Sequence, residues 1–235
     1  MDLTSISICF AIGFFFESIF GIGGSLISYS LLGFFIDLKL AIICAIYIGS
    51  ISSFLIIASS WRNFNYKIFL QILPVALIGT ILGGAIFLYV SSQTLGLFFG
   101  VLLMTLSIKS FFFENFKISK ISKQFLLVIA AISQGAFGVG GPFIAQATKS
   151  DFANKSQLRT TLAAYFLLGN LVRFFQFNLA GEIDLNFFIN IWPIILPVIA
   201  ALWLGHHVHL RISEKNFRKG LAILTMIASI RFLLS

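Results

Sequence analysis

Charge is what this sequence has least of. Lys, Arg, Asp and Glu make up only 10% of its 235 residues, against roughly a quarter in a soluble domain, while hydrophobic residues make up 59%. Apolar runs near or above the ~20 residues needed to cross a bilayer recur along the whole length and leave no room for a soluble domain. Cysteine is nearly missing too: Cys9 and Cys44 both lie inside apolar runs, which points away from a disulfide framework or a thiolate metal site and towards packing. No Lys or Arg precedes the first apolar run, which follows Asp2, so the basic flank of a signal peptide is missing and the first segment is expected to stay in the mature protein. His206, His207 and His209 have no carboxylate or thiolate near them in sequence, and no Ser/His/Asp or Cys/His arrangement survives placement on the spans. The expectation is a protein that is not an enzyme and has no catalytic residues, metal or cofactor.

What is present is a net charge of +8, and its placement argues against nucleic acid as a partner, because the basic residues sit in short loops between apolar runs. Those runs are 3–36, 40–60, 68–90, 95–113, 124–148, 160–180, 187–205 and 220–235. If each crossed the bilayer once, the loops of the two sides would hold six and eight basic residues, which orients nothing. The first and fifth runs, however, contain glycine clusters. If these two enter and return on the same side, loops 61–67, 109–123, 149–159 and 206–219 share one compartment and hold 13 of the 16 Lys and Arg. By the positive-inside rule that compartment is the cytoplasm.

The two glycine-broken hairpins then open on opposite sides, so the halves are inverted. The expected fold is an all-α polytopic integral membrane protein of two inverted repeats, each a Gly-broken hairpin followed by three transmembrane helices. As one membrane domain over 1–235, it divides into repeat one at 3–113, a cytoplasmic connector at 109–123 and repeat two at 124–235. Interrupted segments of this kind bracket the substrate in many secondary transporters.

The clusters read Phe20-Gly21-Ile22-Gly23-Gly24 and Phe137-Gly138-Val139-Gly140-Gly141, 117 residues apart. Glycine inside a helix costs roughly 1 kcal/mol against alanine, so a cluster marks a break. The arms beyond are expected to start at Ser25, as a cap, and at Pro142. Each start offers unpaired N–H groups and the positive end of a helix dipole, which together attract an anion. The competing reading is close helix packing through small residues. A phosphate loop is excluded, since no Gly-Lys-Ser/Thr follows and no strand precedes.

Substrate-binding candidates are therefore Gly21, Gly23, Gly24, Ser25, Gly138, Gly140 and Gly141, joined by Ser50, Asn170 and Arg173. Arg173 lies within an apolar run and either faces a cavity, where its planar fork suits an oxyanion, or snorkels outward or pairs with Glu182. Glu17 is a candidate proton carrier, or else a neutraliser of Arg173, and aligns with Gln134 in the second half. Ser52 and Ser53 offer further hydrogen bonds or serve packing.

The openings FGIGGS and FGVGGP resemble those of the TauE/SafE sulfite exporter family of membrane permeases. So do the counterparts Gly49-Ser50 and Gly169-Asn170, the Gly-Glu-Ile-Asp at 181–184 before a proline-containing span, and the glycine-rich third segment. The resemblance covers nearly the whole chain and departs only where Ser25 and Pro142 replace a third glycine. It implies movement of a sulfur-containing anion, such as sulfite, thiosulfate or a sulfonate, across a bacterial inner membrane. The partners expected are that small anion and the lipid bilayer; the oligomeric state stays open. A passive anion channel using the same cavity is the alternative, and a membrane partner without transport a third.

Overall fold

The computed structural model describes residues 3–20, 23–112, 120–183, 185–207 and 214–234. Gly21, Asp184, His209, Arg211 and the middle of the 109–123 connector lie outside them. Among the described residues every regular element is a helix. In order these are α1 Leu3–Phe20, α2 Gly24–Leu32, α3 Leu38–Ser60, α4 Tyr66–Tyr89, α5 Ser92–Phe112, α6 Lys120–Phe137, α7 Gly141–Thr148, α8 Lys155–Leu179, α9 Leu185–His207 and α10 Glu214–Leu233. Each glycine-bearing run splits into an arm of 18 residues and a short arm of nine or eight.

Leu38–Asn63, Tyr66–Tyr89 and Ser92–Lys109 are long and apolar enough to cross a membrane, and Leu3–Ile19, Ile121–Phe137 and Ile191–Gly205 are shorter apolar helices. On α4 both faces are apolar. Ile68, Ile72, Ala76 and Phe87 are buried, while Leu70, Ile78, Ile81 and Leu82 are exposed. A helix that is hydrophobic all round belongs in lipid, where the outer stripe costs nothing. The chain is a multi-pass membrane protein.

It forms two compact units that cut across the sequence halves. The first comprises Met1–Ile42, Val90–Lys117 and Ile191–Ser235. In it α2 doubles back along α1: a methyl on Gly13 would strike Gly24 O and Ser28 Oγ, and Ser28 Oγ donates to Cys9 O at 3.3 Å. The contacts move from residue 17 to 13 to 9 of α1 as α2 runs from 24 to 28, so the hairpin returns towards the end it entered from. At that end Asp37 accepts from the Lys39 N–H at 2.8 Å and from the Ser92 hydroxyl, tying the starts of α3 and α5. Phe232 of α10 packs edge-on against Phe99 at 5.2 Å, beside Gly33 and Gly100.

The second unit comprises Ile43–Tyr89 and Ile118–Asn190. Its α8 opens with reciprocal caps: Asn154 Oδ1 accepts from the Gln157 N–H at 2.8 Å, and Gln157 Oε1 accepts from the Ala153 N–H at 3.1 Å. The Asn65 N–H donates to Thr161 Oγ1 at 3.0 Å, and Lys123 Nζ meets Asp151 Oδ2 at 2.5 Å. These two ties gather the 61–67 loop, the start of α6 and the 149–159 loop at one end of the unit. The second hairpin therefore also enters and leaves at the same end. At the other end Phe87 stacks on Phe177 with centroids 4.2 Å apart.

One contact recurs in both units. In the second, a methyl on Gly83 of α4 would run into Ile132 O and, at 2.9 Å, the Gly135 Cα of α6. In the first, a methyl on Gly205 of α9 would meet Phe15 O at 2.6 Å and Ser18 Cβ at 2.9 Å on α1. The 117-residue offset that carries Gly23 to Gly140 also carries Phe15 to Ile132 and Ser18 to Gly135. Each hairpin thus packs on the proline-bearing helix of the other sequence half, through backbone contact that only glycine permits. Ser18 adds a bond to Leu202 O at 2.8 Å.

Because backbone rather than a flexible side chain is the obstacle, Gly83→Ala and Gly205→Ala are each expected to destabilise by about 1–3 kcal/mol through overpacking. Gly220, with open space around its Cα, should accept alanine without loss or with a small gain from helix propensity. Thermal unfolding of purified protein in detergent checks this, and equal midpoints for all three variants would remove the role given to the two glycines.

Candidate functional site

Both glycine clusters break the helix. At the second, Gly138 has φ 71°, its N–H donates to Gln134 O at 2.9 Å, and the Val139 N–H donates to Ser133 O at 3.3 Å. That is the glycine closure of a helix C-terminus, which needs the left-handed conformation. At the first, among the described residues, Gly23 is left-handed with φ 101° and precedes the short arm. Its counterpart by the 117-residue offset, Gly140, has φ −85°.

The starts of the two short arms share a device. Glu17 Oε2 accepts the Gly24 N–H at 2.9 Å, and Gln134 Oε1 accepts the Gly140 N–H at 3.2 Å. In each case a side chain from the long arm reaches over the break and caps the short one. This corrects the expectation at Ser25: α2 begins at Gly24, its N-cap is Gly23, and the acceptor comes from Glu17. Ser25 sits half-buried in the first turn, while Pro142 occupies the first turn of α7 as expected. The acceptor at the first break is a titratable carboxyl and the one at the second is an amide. In its ionised form that carboxyl is favoured by the positive end of the α2 dipole.

The second break is faced by α8. Tyr165, Gly169 and Arg173 recur every four residues and lie on one side of that helix. A methyl on Gly169 would meet Gln134 Cγ at 2.9 Å, and a methyl on Gly140 would meet Tyr165 OH at 3.0 Å as well as Ala130 O at 2.5 Å. Tyr165 and Gly169 stand 10 and 14 residues into a helix of 25, close to its midpoint. One turn beyond Gly169, Arg173 is 0% exposed and is the largest fully buried side chain among the described residues. It therefore does not snorkel outward; Glu182 is exposed, and its N–H donates to Phe177 O at 2.9 Å.

Arg173 Nη1 donates to Asn170 Oδ1 over a long 3.4 Å, and its guanidinium carbon lies 5.6 Å from the centre of the Phe177 ring. The Phe87–Phe177 stack fixes that ring. Asn170 in turn lies against Gly49 of α3, where an added methyl would come within 2.9 Å of its Nδ2. A guanidinium at membrane depth costs roughly 2.5–3.5 kcal/mol on insertion scales, so its retention marks a functional candidate.

The second unit thus holds Gly138, Gly140, Gly141, Asn170 and Arg173, with Tyr165 and Gly169 against the break and Arg173 one turn further along α8, and the first holds Glu17, Gly23, Gly24 and Ser25. Ser50 follows Gly49 on α3 but spends its hydroxyl on Ile46 O at 2.6 Å. Ser52 and Ser53 are buried. His207 turns Nδ1 to Trp203 O at 2.8 Å. Sequence reasoning passed over Tyr165, Gln134 as a cap, and Gly49 as the seat of Asn170. The signal for Tyr165 was its spacing of eight from Arg173.

Compared with known families, the chain matches the model described as Sulfite exporter TauE/SafE over residues 5–232. Neither the comparison with curated proteins nor that with solved structures gives a match.

Proposed function

Because the chain belongs to the TauE/SafE family of sulfite exporters, which are membrane transporters, we propose that it is a secondary transporter for a small sulfur-containing anion. Sulfite, thiosulfate and small sulfonates are the class, and the bacterial inner membrane is the site. The observation that carries this reading is Arg173, buried on the face of α8 that meets the second break. A guanidinium offers a planar fork matched to two oxygens of an oxyanion. The start of α7 adds backbone N–H groups and the positive end of a helix dipole. Gly140, Gly141 and Asn170 complete the binding wall in this unit.

The first break supplies coupling. Glu17, half-buried at the start of α2, accepts a proton and gives up the charge that holds Gly24. Transport runs by alternating access between inverted halves, with loops 61–67, 109–123, 149–159 and 206–219 in the cytoplasm. The recurrence of the Gly83 and Gly205 contacts at repeat-related positions supports two equivalent halves. The gathering of the 61–67 and 149–159 loops at one end of the second unit supports their common side.

The protein reconstituted in proteoliposomes should accumulate sulfite against its gradient when a pH gradient is imposed, and a protonophore should abolish the accumulation. A passive anion channel would instead only equilibrate sulfite, with conductance steps in planar bilayers. Flux in neither assay would remove the transport reading for these anions.

A further inference from the structure

We propose that Tyr165 is a substrate-contacting residue whose hydroxyl donates a hydrogen bond to an oxygen of the anion held at the second break. This rests on the transport reading above and deepens it, since it makes an oxygen-bearing anion the ligand class. Tyr165 is 2% exposed, and its hydroxyl has no hydrogen-bond partner among the described residues. Leaving a buried hydroxyl without an acceptor is costly, so such a group marks a place where an acceptor arrives.

The direction of the hydroxyl says where. It lies 3.0 Å from the position a Cβ would take on Gly140, the residue before α7. Glycine there keeps a side chain off the phenol, since a methyl would crowd its oxygen and would also strike Ala130 O at 2.5 Å and Gln134 Cβ at 3.0 Å. The Gly140 N–H is already engaged by Gln134, and Pro142 contributes no donor, so the Gly141 N–H heads the arm. A ligand at this point therefore has the Gly141 N–H and the Tyr165 O–H as donors around it, with the helix dipole favouring negative charge. A phenol in this position only donates usefully if the ligand presents an oxygen lone pair, as every sulfur oxyanion does.

Tyr165→Phe removes the one oxygen and leaves the ring in place. In purified protein, sulfite and thiosulfate binding by titration calorimetry should weaken about tenfold or more, the usual loss when one hydrogen bond to a charged ligand goes. The thermal midpoint without ligand should hold or rise, because a buried orphan hydroxyl has been removed. Sulfite should also perturb the near-ultraviolet tyrosine absorption of the wild-type protein, a signal available even if the variant folds poorly. Equal affinities for variant and wild type, or saturation of the wild type without that perturbation, would overturn the assignment while leaving the transport reading standing. Failure of the wild type to bind any of these anions would instead overturn both.

Discussion

Arg173→Met should abolish anion accumulation, with binding weakened about a hundredfold or more, while the protein stays folded. Two charge-assisted bonds from one guanidinium are worth roughly 1.5–3 kcal/mol each, and a hundredfold corresponds to ~2.7 kcal/mol. The fold should tolerate the change for a physical reason. Arg173 is fully buried, its bond to Asn170 is long at 3.4 Å, and the rest of its surroundings include the apolar Phe177 ring. Replacing a buried ionic group by a well-packed apolar side chain is tolerated where no opposite charge is left behind, and the neighbours Asn170 and Phe177 are uncharged. The prediction is thus a split: unfolding midpoint unchanged or raised, flux at background. Arg173→Lys keeps the charge but loses the fork, and should recover only part of the affinity. If Arg173→Met unfolded the protein, or transported at the wild-type rate, the guanidinium would be a structural element rather than an anion ligand.

Much of this was legible in the sequence, and the parts that were not have identifiable causes. The apolar runs became helices because nothing in lipid satisfies a backbone N–H except the helix itself. The glycine clusters broke them because Gly23 and Gly138 adopt φ values of 101° and 71° that other residues rarely reach. What periodicity could not give was the partner of each face. Gly83 and Gly205 are visible as small residues, yet that they seat the hairpin of the other half depends on how the chain crosses itself. The units consequently cut across the repeats. Ser25 failed as a cap for a related reason. Capping rules look to the adjacent residue, whereas here the acceptor arrives from seven positions away on the long arm of the same hairpin. Tyr165 went unnoticed because an aromatic on an apolar helix normally signals packing; only its direction towards Gly140 distinguishes it.

Glu17→Gln should uncouple transport from protons and leave the structure nearly untouched. The second break provides the precedent: there a glutamine, Gln134, accepts the arm's N–H through Oε1 at 3.2 Å, as Glu17 does for Gly24 at 2.9 Å. A glutamine at 17 can therefore keep the cap, trading a charge-assisted bond for a neutral one at a cost of about 1 kcal/mol. What it cannot do is bind and release a proton. Protonation of Glu17 removes the negative charge facing the positive end of α2, and the cap weakens by that dipole interaction. With glutamine the break is held in one electrostatic state at every pH. Accumulation of sulfite driven by a pH gradient should therefore fall to simple equilibration, while exchange of labelled for unlabelled sulfite continues. Glu17→Leu, which also deletes the acceptor, should lose exchange as well as coupling, because the Gly24 N–H is then orphaned. Gradient-driven accumulation at the wild-type level in Glu17→Gln would place the proton elsewhere and leave Glu17 as a helix cap alone.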